Sequence, residues 1–114
     1  MSQFNATFVE DGVCVVEVSG EIDLAVTDEL LEVARAGLRE AGALRLDLSG
    51  VSFIDSTGLG TLVLIRNEAA AADKALTLAN VPVSVARLLQ LTGLSGAFDI
   101  DDASVGGDTP VDRP

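Results

Sequence analysis

The sequence predicts a single α/β domain in which a β-hairpin leads into alternating helices and strands, in the order ββαβαβαβ. Its 114 residues suit one compact domain and are too few for two of ordinary size. Segments with the two-residue apolar repeat of a strand take turns with segments that have the spacing of a helix. Helices of this length between strands imply parallel pairing through right-handed crossovers, so we expect a mixed sheet with helices packed on it.

The first two strands are predicted to form the hairpin. Apolar and polar residues alternate from Phe4 to Phe8, and a second apolar run, rich in β-branched residues, extends from Val13 to Val18. Between them stands Asp11-Gly12, a typical two-residue hairpin turn. We therefore expect these strands to pair in the antiparallel direction.

The first helix is predicted to run from about Asp28 to Ala41, ending before Gly42. Thr27 is a suitable N-cap residue, and Asp28 and Glu29 would lie in the first turn. The apolar residues that would share one face of this helix are Leu31, Ala34, Leu38 and Ala41.

The next strand and helix follow at once. Alternating leucines predict a strand from Leu44 to a break at Ser49-Gly50, after which Ser52 to Ile54 leads into a second helix. That helix should span about Thr57 to Ala72. Its first half carries most of its large apolar side chains, so we expect that half to be buried against the sheet.

The last elements are shorter. A strand from Ala75 to Ala79 precedes Pro82, a residue favoured in a first helical turn, and a third helix should end near Gly93. Phe98 and Ile100 indicate a short final strand. We assign residues 1–102 to the domain and expect 103–114, rich in Gly, Asp and Pro, to form a disordered tail.

Composition excludes several classes of function. The 18 acidic and 7 basic residues give a net charge of −11, which disfavours nucleic acid as a partner. The chain has no histidine and a lone cysteine, Cys14, so it can form neither a His-based triad nor an internal disulfide. Its acidic residues lack EF-hand spacing, and its glycines lack the lysine of a phosphate-binding loop. We expect no metal, no cofactor and no catalytic residue.

Nothing in the sequence predicts export or membrane insertion. The longest aliphatic block, Leu62 to Ile65, is far shorter than the roughly 18 residues that a membrane span needs. The N-terminal residues lack the basic and apolar regions of a signal peptide. We therefore expect a cytoplasmic protein.

The most informative stretch is LDLSGVSFIDSTGLG, from Leu46 to Gly60. A strand runs into an Asp-Ser-Thr-Gly turn that opens a helix, which places Ser56 at a helix N-terminus. A phosphate there would lie among free backbone N–H groups, at the positive end of the helix dipole. An alternative is that Ser56 or Thr57 only caps the helix, and that the glycines only allow close packing.

Phosphorylation of Ser56 would suit a switch. It adds about −1.5 to −2 charges beside Asp55, on a turn whose next residues, Gly58 to Gly60, offer a small or apolar surface to a partner. A cost on the order of 2 to 4 kcal/mol on docking would weaken binding about 30-fold to several hundredfold. One modification could therefore release a partner without unfolding the domain.

The chain resembles the STAS domain, in particular the bacterial anti-sigma factor antagonists. The resemblance covers about residues 4–100 and rests on DLSGVSFIDSTGLG, on Gly20-Glu21-Ile22-Asp23 and on the segment from Val81-Pro82 to Thr92-Gly93-Leu94. It implies a module that binds an anti-sigma factor and thereby frees a sigma factor. The anti-sigma factor would double as an ATP-dependent serine kinase, and a phosphatase would reverse the modification.

The resemblance also implies roles for single residues. Ser56 falls at the phosphoacceptor position. The residues at positions of partner contact are Asp55, Thr57, Gly58 and Leu59, and Asp23 matches an acidic position near the same end of the sheet. Gly60, which continues the small or apolar surface after the turn, is added to the predicted partner-binding residues. Asp23 could instead only precede and cap the first helix. Members often continue with a C-terminal helix, whereas residues 101–107 here are short and polar.

Two other classes of function stay open. STAS domains also serve in transporters and sensors, so the chain could be a scaffold subunit of a larger sensory or transport assembly. An enzyme, such as a nucleotide hydrolase, is the weakest hypothesis because no nucleophile and base pair is evident.

Overall fold

A five-stranded sheet organises this computed structural model, which describes residues 3–9 and 12–101. The strands lie in the order in which they occur along the chain; the first two pair antiparallel and all later pairs are parallel. The elements are β1 (Phe4–Val9), β2 (Val13–Ile22), α1 (Thr27–Glu40), β3 (Ala43–Ile54), α2 (Ser56–Ala71), β4 (Ala75–Ala79), α3 (Val83–Leu91), a 3₁₀ turn (Ser95–Ala97) and β5 (Asp99–Asp101). The predicted α/β class, the opening hairpin and the element order are confirmed.

Helices cover one face of the sheet. In β2 the buried residues Cys14, Val16 and Val18 alternate with more exposed ones, as expected for a strand with one covered face. α1 packs on this face so closely that a Cβ on Gly37 would lie 2.9 Å from the Cys14 Sγ. The core therefore lies between the helices and the face of the sheet to which Cys14, Val16 and Val18 belong.

The predicted break in β3 at Ser49-Gly50 is wrong. The strand continues to Ile54, and β2 runs alongside it with register shifts between Glu17 and Ser19 and between Gly20 and Glu21. A Cβ on Gly50 would lie 2.9 Å from the Cβ of Ser19. The glycine thus permits close approach of two irregular strands and does not end the strand.

The predicted N-cap of α1 is also wrong. Thr27 is the first helical residue, and its hydroxyl donates back to the Leu24 carbonyl at 3.2 Å. Val26 occupies the N-cap position without a side-chain hydrogen bond. The helix itself begins and ends within a residue of the prediction.

β2 extends four residues beyond its predicted end at Val18, to Ile22, and a 3₁₀ turn was not predicted. The remaining elements agree with the predictions to within about two residues. Pro82 is the N-cap of α3 and so lies just before its first turn, and Gly93 follows the helix with φ +77°. The predicted tail, 103–114, lies outside the described residues, as does most of the region in which a C-terminal helix was in question. No helix in the described part of the chain has the length and apolar character needed to cross a membrane.

Candidate functional site

The ends of β2 and β3 bring the predicted site together. Ile22 and Ile54 are paired at the end of the parallel register, and the Asp55 amide donates to the Ile22 carbonyl at 3.3 Å. Asp23 and Asp55, which follow these two strands, therefore lie at the same edge of the sheet. α1 and α2 both start from this edge.

Asp55 is the N-cap of α2. One carboxylate oxygen, Oδ1, accepts from the Gly58 amide at 2.9 Å and from the Thr57 hydroxyl at 2.6 Å. These two bonds, the Thr57 hydroxyl first, hold the pKa of Asp55 below its ordinary value, so the carboxylate stays ionised. The helix start therefore already carries a negative charge.

This cap changes two earlier expectations. Neither Ser56 nor Thr57 caps the helix, because the Asp55 carboxylate holds the position that their hydroxyls would take. A phosphate on Ser56 would also not find the Gly58 amide free. It would share the helix terminus with an existing anion.

Ser56 is the first residue of α2 and is exposed to solvent. Its hydroxyl makes no hydrogen bond within residues 3–9 and 12–101. By contrast, the neighbouring Thr57 is exposed but donates its hydroxyl to Asp55. Of the two adjacent hydroxyls, that of Ser56 is the more accessible to an enzyme.

Gly58 and Leu59 lie beneath this surface. A Cβ on Gly58 would be 2.5 Å from the Ile22 carbonyl oxygen and 2.7 Å from the Ile54 Cγ1, so only glycine fits there. Leu59 is 6% exposed and belongs to the core. Both residues hold α2 in place, whereas Gly60 is exposed and a Cβ there would meet nothing within 4 Å.

Asp23 has an observed structural role. It is half-buried, and its Oδ1 accepts from the Ala25 amide at 3.1 Å, which closes the turn between β2 and α1. Asp23 thus precedes α1, as the alternative had it, but it does not cap the helix, whose N-cap is Val26 without a side-chain hydrogen bond. Contact of Asp23 with a partner stays a prediction.

Two exposed apolar side chains near this edge were not singled out from the sequence. Leu24 is 73% exposed in the turn after β2, and Phe53 is 53% exposed near the end of β3. For Leu24, the available signal was an apolar residue placed directly after Asp23 in a predicted turn. For Phe53, the misplaced strand break hid that this residue lies within β3, where it and Ser52 are both exposed.

The edge is also strongly acidic. Neither residues 13–34 nor residues 46–65 contain a Lys or Arg. The acidic residues that end β2, fill the following turn or begin the two helices are Glu21, Asp23, Asp28, Glu29 and Asp55. No three His, Cys, Asp or Glu side chains among the described residues are grouped so as to hold a metal ion.

Comparisons with known proteins agree with this fold. The family model of the STAS domain matches residues 6–105. The anti-sigma-B factor antagonist of Bacillus subtilis (strain 168) is 39% identical over 93 residues, covering 81% of this chain and 84% of that protein. The crystal structure of an anti-sigma factor antagonist from Mycobacterium paratuberculosis has a TM-score of 0.76 at 29% identity, covering 91% of each chain.

A more distant structure shares the fold. SpoIIAA, a Bacillus cell fate determinant solved in the phosphorylated form, has a TM-score of 0.68 at 19% identity, covering 86% of this chain and 90% of that one. The two antagonists named above carry regulatory names, not those of enzymes. By the match over residues 6–105 and the identity to its Bacillus subtilis relative, this chain belongs to the STAS domain family.

Proposed function

We propose that this protein is an anti-sigma factor antagonist controlled by phosphorylation of Ser56. With Ser56 unmodified it binds an anti-sigma factor and frees a sigma factor, and with Ser56 phosphorylated it releases its partner. The observation that carries the proposal is the exposed Ser56 hydroxyl, which makes no hydrogen bond within the described residues. The relatives named as antagonists, and SpoIIAA with its phosphorylated form, support it.

The partner would be an anti-sigma factor with serine kinase activity. The Ser56 oxygen attacks the γ-phosphorus of ATP, ADP leaves, and the hydroxyl proton passes to the kinase or to water. A phosphatase hydrolyses the ester and restores the hydroxyl. The proposed location is the cytoplasm, where ATP is supplied. The protein itself acts by binding and not by catalysis.

The local charge explains why phosphorylation would block docking. The ester adds about −1.5 to −2 charges next to the ionised Asp55 carboxylate. Because Asp55 already accepts from the Gly58 amide and the Thr57 hydroxyl, these donors are not free to neutralise the new charge. Burying such a pair of like charges under a partner is costly.

The test combines mass and affinity measurements. Incubation with ATP and the purified anti-sigma factor kinase should add one phosphate to the wild-type chain and to Ser84→Ala, an exposed-serine control, but none to Ser56→Ala. By calorimetry, Ser56→Ala should bind the kinase like the wild type, and Ser56→Glu at least tenfold more weakly. Equal affinity of Ser56→Ala and Ser56→Glu would refute the switch.

Size-exclusion chromatography with light scattering addresses the scaffold alternative. A stable large assembly that is indifferent to the state of Ser56 would favour a scaffold subunit. A complex that dissociates when ATP is added would favour the antagonist.

A further inference from the structure

β1 and β5 are the two edges of the sheet in the described part of the chain, and they differ in their protection against strand addition. β5 is three residues long and carries Asp99 and Asp101. β1 is six residues long, contains neither a charged residue nor a proline, and pairs with β2 without a register shift. Short length, charge, proline and bulges are the features that keep another strand from adding to an edge. β1 has none of them.

The side chains of β1 are also exposed. Five of its six residues are exposed, and the two large apolar ones at its end, Phe8 and Val9, are 54% and 44% exposed. Phe8 is paired with the buried Cys14, so it lies on the face of the sheet that the helices cover. Its ring therefore lies beside the core without being covered, and a strand added to β1 would cover it.

The backbone of β1 supplies hydrogen-bonding groups on its outer side. The Gln3 carbonyl accepts from the Ser19 amide at the end of β2, at 3.0 Å. In an antiparallel pair, every second residue directs its N–H and C=O toward the neighbouring strand. Ala6 and Phe8 lie an odd number of residues beyond Gln3, so their backbone groups point away from β2.

A second copy of β1 fits this edge. If two β1 strands pair antiparallel with Ala6 opposite Ala6, the outward backbone groups of these two residues form a hydrogen-bonded pair. Phe8 of each copy then comes opposite Phe4 of the other, on the face that the helices cover. Asn5 comes opposite Thr7 on the other face. The register thus places apolar residues beside apolar ones and polar residues beside polar ones.

Charge favours β1 over other surfaces for contact between two copies. The chain has a net charge of −11, so two copies repel each other wherever acidic surfaces meet. Two paired β1 strands oppose no like charges. A contact confined to one strand of each copy is small beside the roughly 1,200 to 2,000 Å² of stable interfaces, so the association is weak and depends on concentration.

We propose that β1 is a self-association surface at which two copies of this chain pair antiparallel about Ala6 and form one continuous sheet. The inference is independent of the function proposed above, because it involves neither Ser56 nor a kinase. Ser56 lies at the start of α2, at the edge formed by the ends of β2 and β3, and stays exposed in the pair.

Sedimentation equilibrium of the full chain tests the association. The weight-average mass should rise from that of one chain toward that of two between micromolar and millimolar concentration. The rise should be larger in high salt, because salt screens the repulsion between two acidic chains. Phe8→Lys should abolish it by placing a charge on the edge. The control, Leu91→Lys, adds the same charge at a leucine that is 77% exposed in α3, and it should associate like the wild type.

Two results would overturn the proposal: a wild-type mass that stays at one chain throughout, or equal association of Phe8→Lys and Leu91→Lys. Both replaced side chains are exposed, so circular dichroism should show that both variants remain folded.

Cross-linking tests the register without disturbing Phe8. Ala6→Cys places two thiols opposite each other, with about 5.5 Å between their Cα atoms, which suits a disulfide. Diamide, which takes up the two thiol hydrogens, should convert this variant to a covalent dimer, and the fully buried native Cys14 does not compete. Thr7→Cys is the matched control, since its two thiols would lie diagonally across the pair at about 7–8 Å. It should cross-link at least tenfold more slowly, and equal rates, or no covalent dimer of Ala6→Cys, would overturn the proposal.

Discussion

α1 and α2 lie side by side on one face of the sheet, yet their outer surfaces differ in chemistry. Every exposed residue of α1 is charged: Asp28, Glu29, Glu32, Arg35, Arg39 and Glu40. Of the eight exposed residues of α2, only Arg66 is charged. The other seven are Ser56, Thr57, Gly60, Leu64, Asn67, Ala70 and Ala71. Both helices bury leucines in the same core, so folding does not require this difference. α1 has the surface of a solvated helix, whereas the largely uncharged outer surface of α2 is compatible with the proposed binding of a partner.

The largest expected effect concerns the two glycines of α2. Gly58→Ala should destabilise the domain by about 1–3 kcal/mol, since its Cβ has no space between Ile22 and Ile54. Gly60→Ala should stabilise it by about 0.5–1 kcal/mol. Urea unfolding measures both. If both substitutions changed the free energy of unfolding in the same direction, the contrast between a packed side of α2 at Gly58 and an open side at Gly60 would be refuted.

The second-largest effect is expected when the charged and apolar residues on the outer surfaces of the two helices are exchanged, and it concerns affinity for the anti-sigma factor. Leu64→Glu should lower affinity for the anti-sigma factor at least tenfold, about 1.4 kcal/mol, because it places a charge in an apolar contact. Glu32→Leu, the opposite change on the exposed side of α1, should leave affinity within twofold. Calorimetry gives both values, and equal losses in the two variants would remove the distinction between the helices.

A smaller effect follows from the Asp55 cap, which only α2 has. Because hydrogen bonds lower the pKa of the folded carboxylate, its contribution to stability is present above the unfolded pKa and is lost as the pH falls through the folded value. The wild type should melt above Asp55→Asn at pH 7, and the two should converge well below pH 3.8, the ordinary value. A difference that persists unchanged in acid would contradict an ionised cap.

The smallest effect is expected where the two helices meet. Arg35 and Glu68 form a bidentate ion pair between α1 and α2, with both side chains substantially exposed. Water and salt screen such pairs, so Arg35→Gln should change the melting temperature barely beyond measurement error. A large loss of stability would instead assign this pair a part in holding the helices together.

The sequence predicts the position of the site better than its local chemistry. The spacing of the strands and helices was enough to place Ser56 at the start of α2. The cap could not be assigned, because Asp55, Ser56 and Thr57 are all good N-cap residues and the exact end of β3 decides among them. The same uncertainty about strand ends produced the false break at Ser49-Gly50.

The roles of the two glycines illustrate a second limit. Gly58 and Gly60 are two residues apart, so they point to opposite sides of a helix, about 200° apart. A sequence window cannot tell which of them faces the sheet, because the surrounding residues of α2 are apolar on both sides. The contact of Gly58 with the carbonyl of Ile22 decides this, and only the tertiary structure contains it.

That contact has a mechanical consequence. A Cβ at position 58 would lie 2.5 Å from the Ile22 carbonyl oxygen of β2. The first turn of α2 therefore has no room to move toward β2 when a phosphate is attached to Ser56. The phosphorylated and unmodified forms should therefore superimpose almost atom for atom. A partner would then distinguish the two forms by the shape and the electrostatic potential of the protein surface. No conformational change in the core is needed.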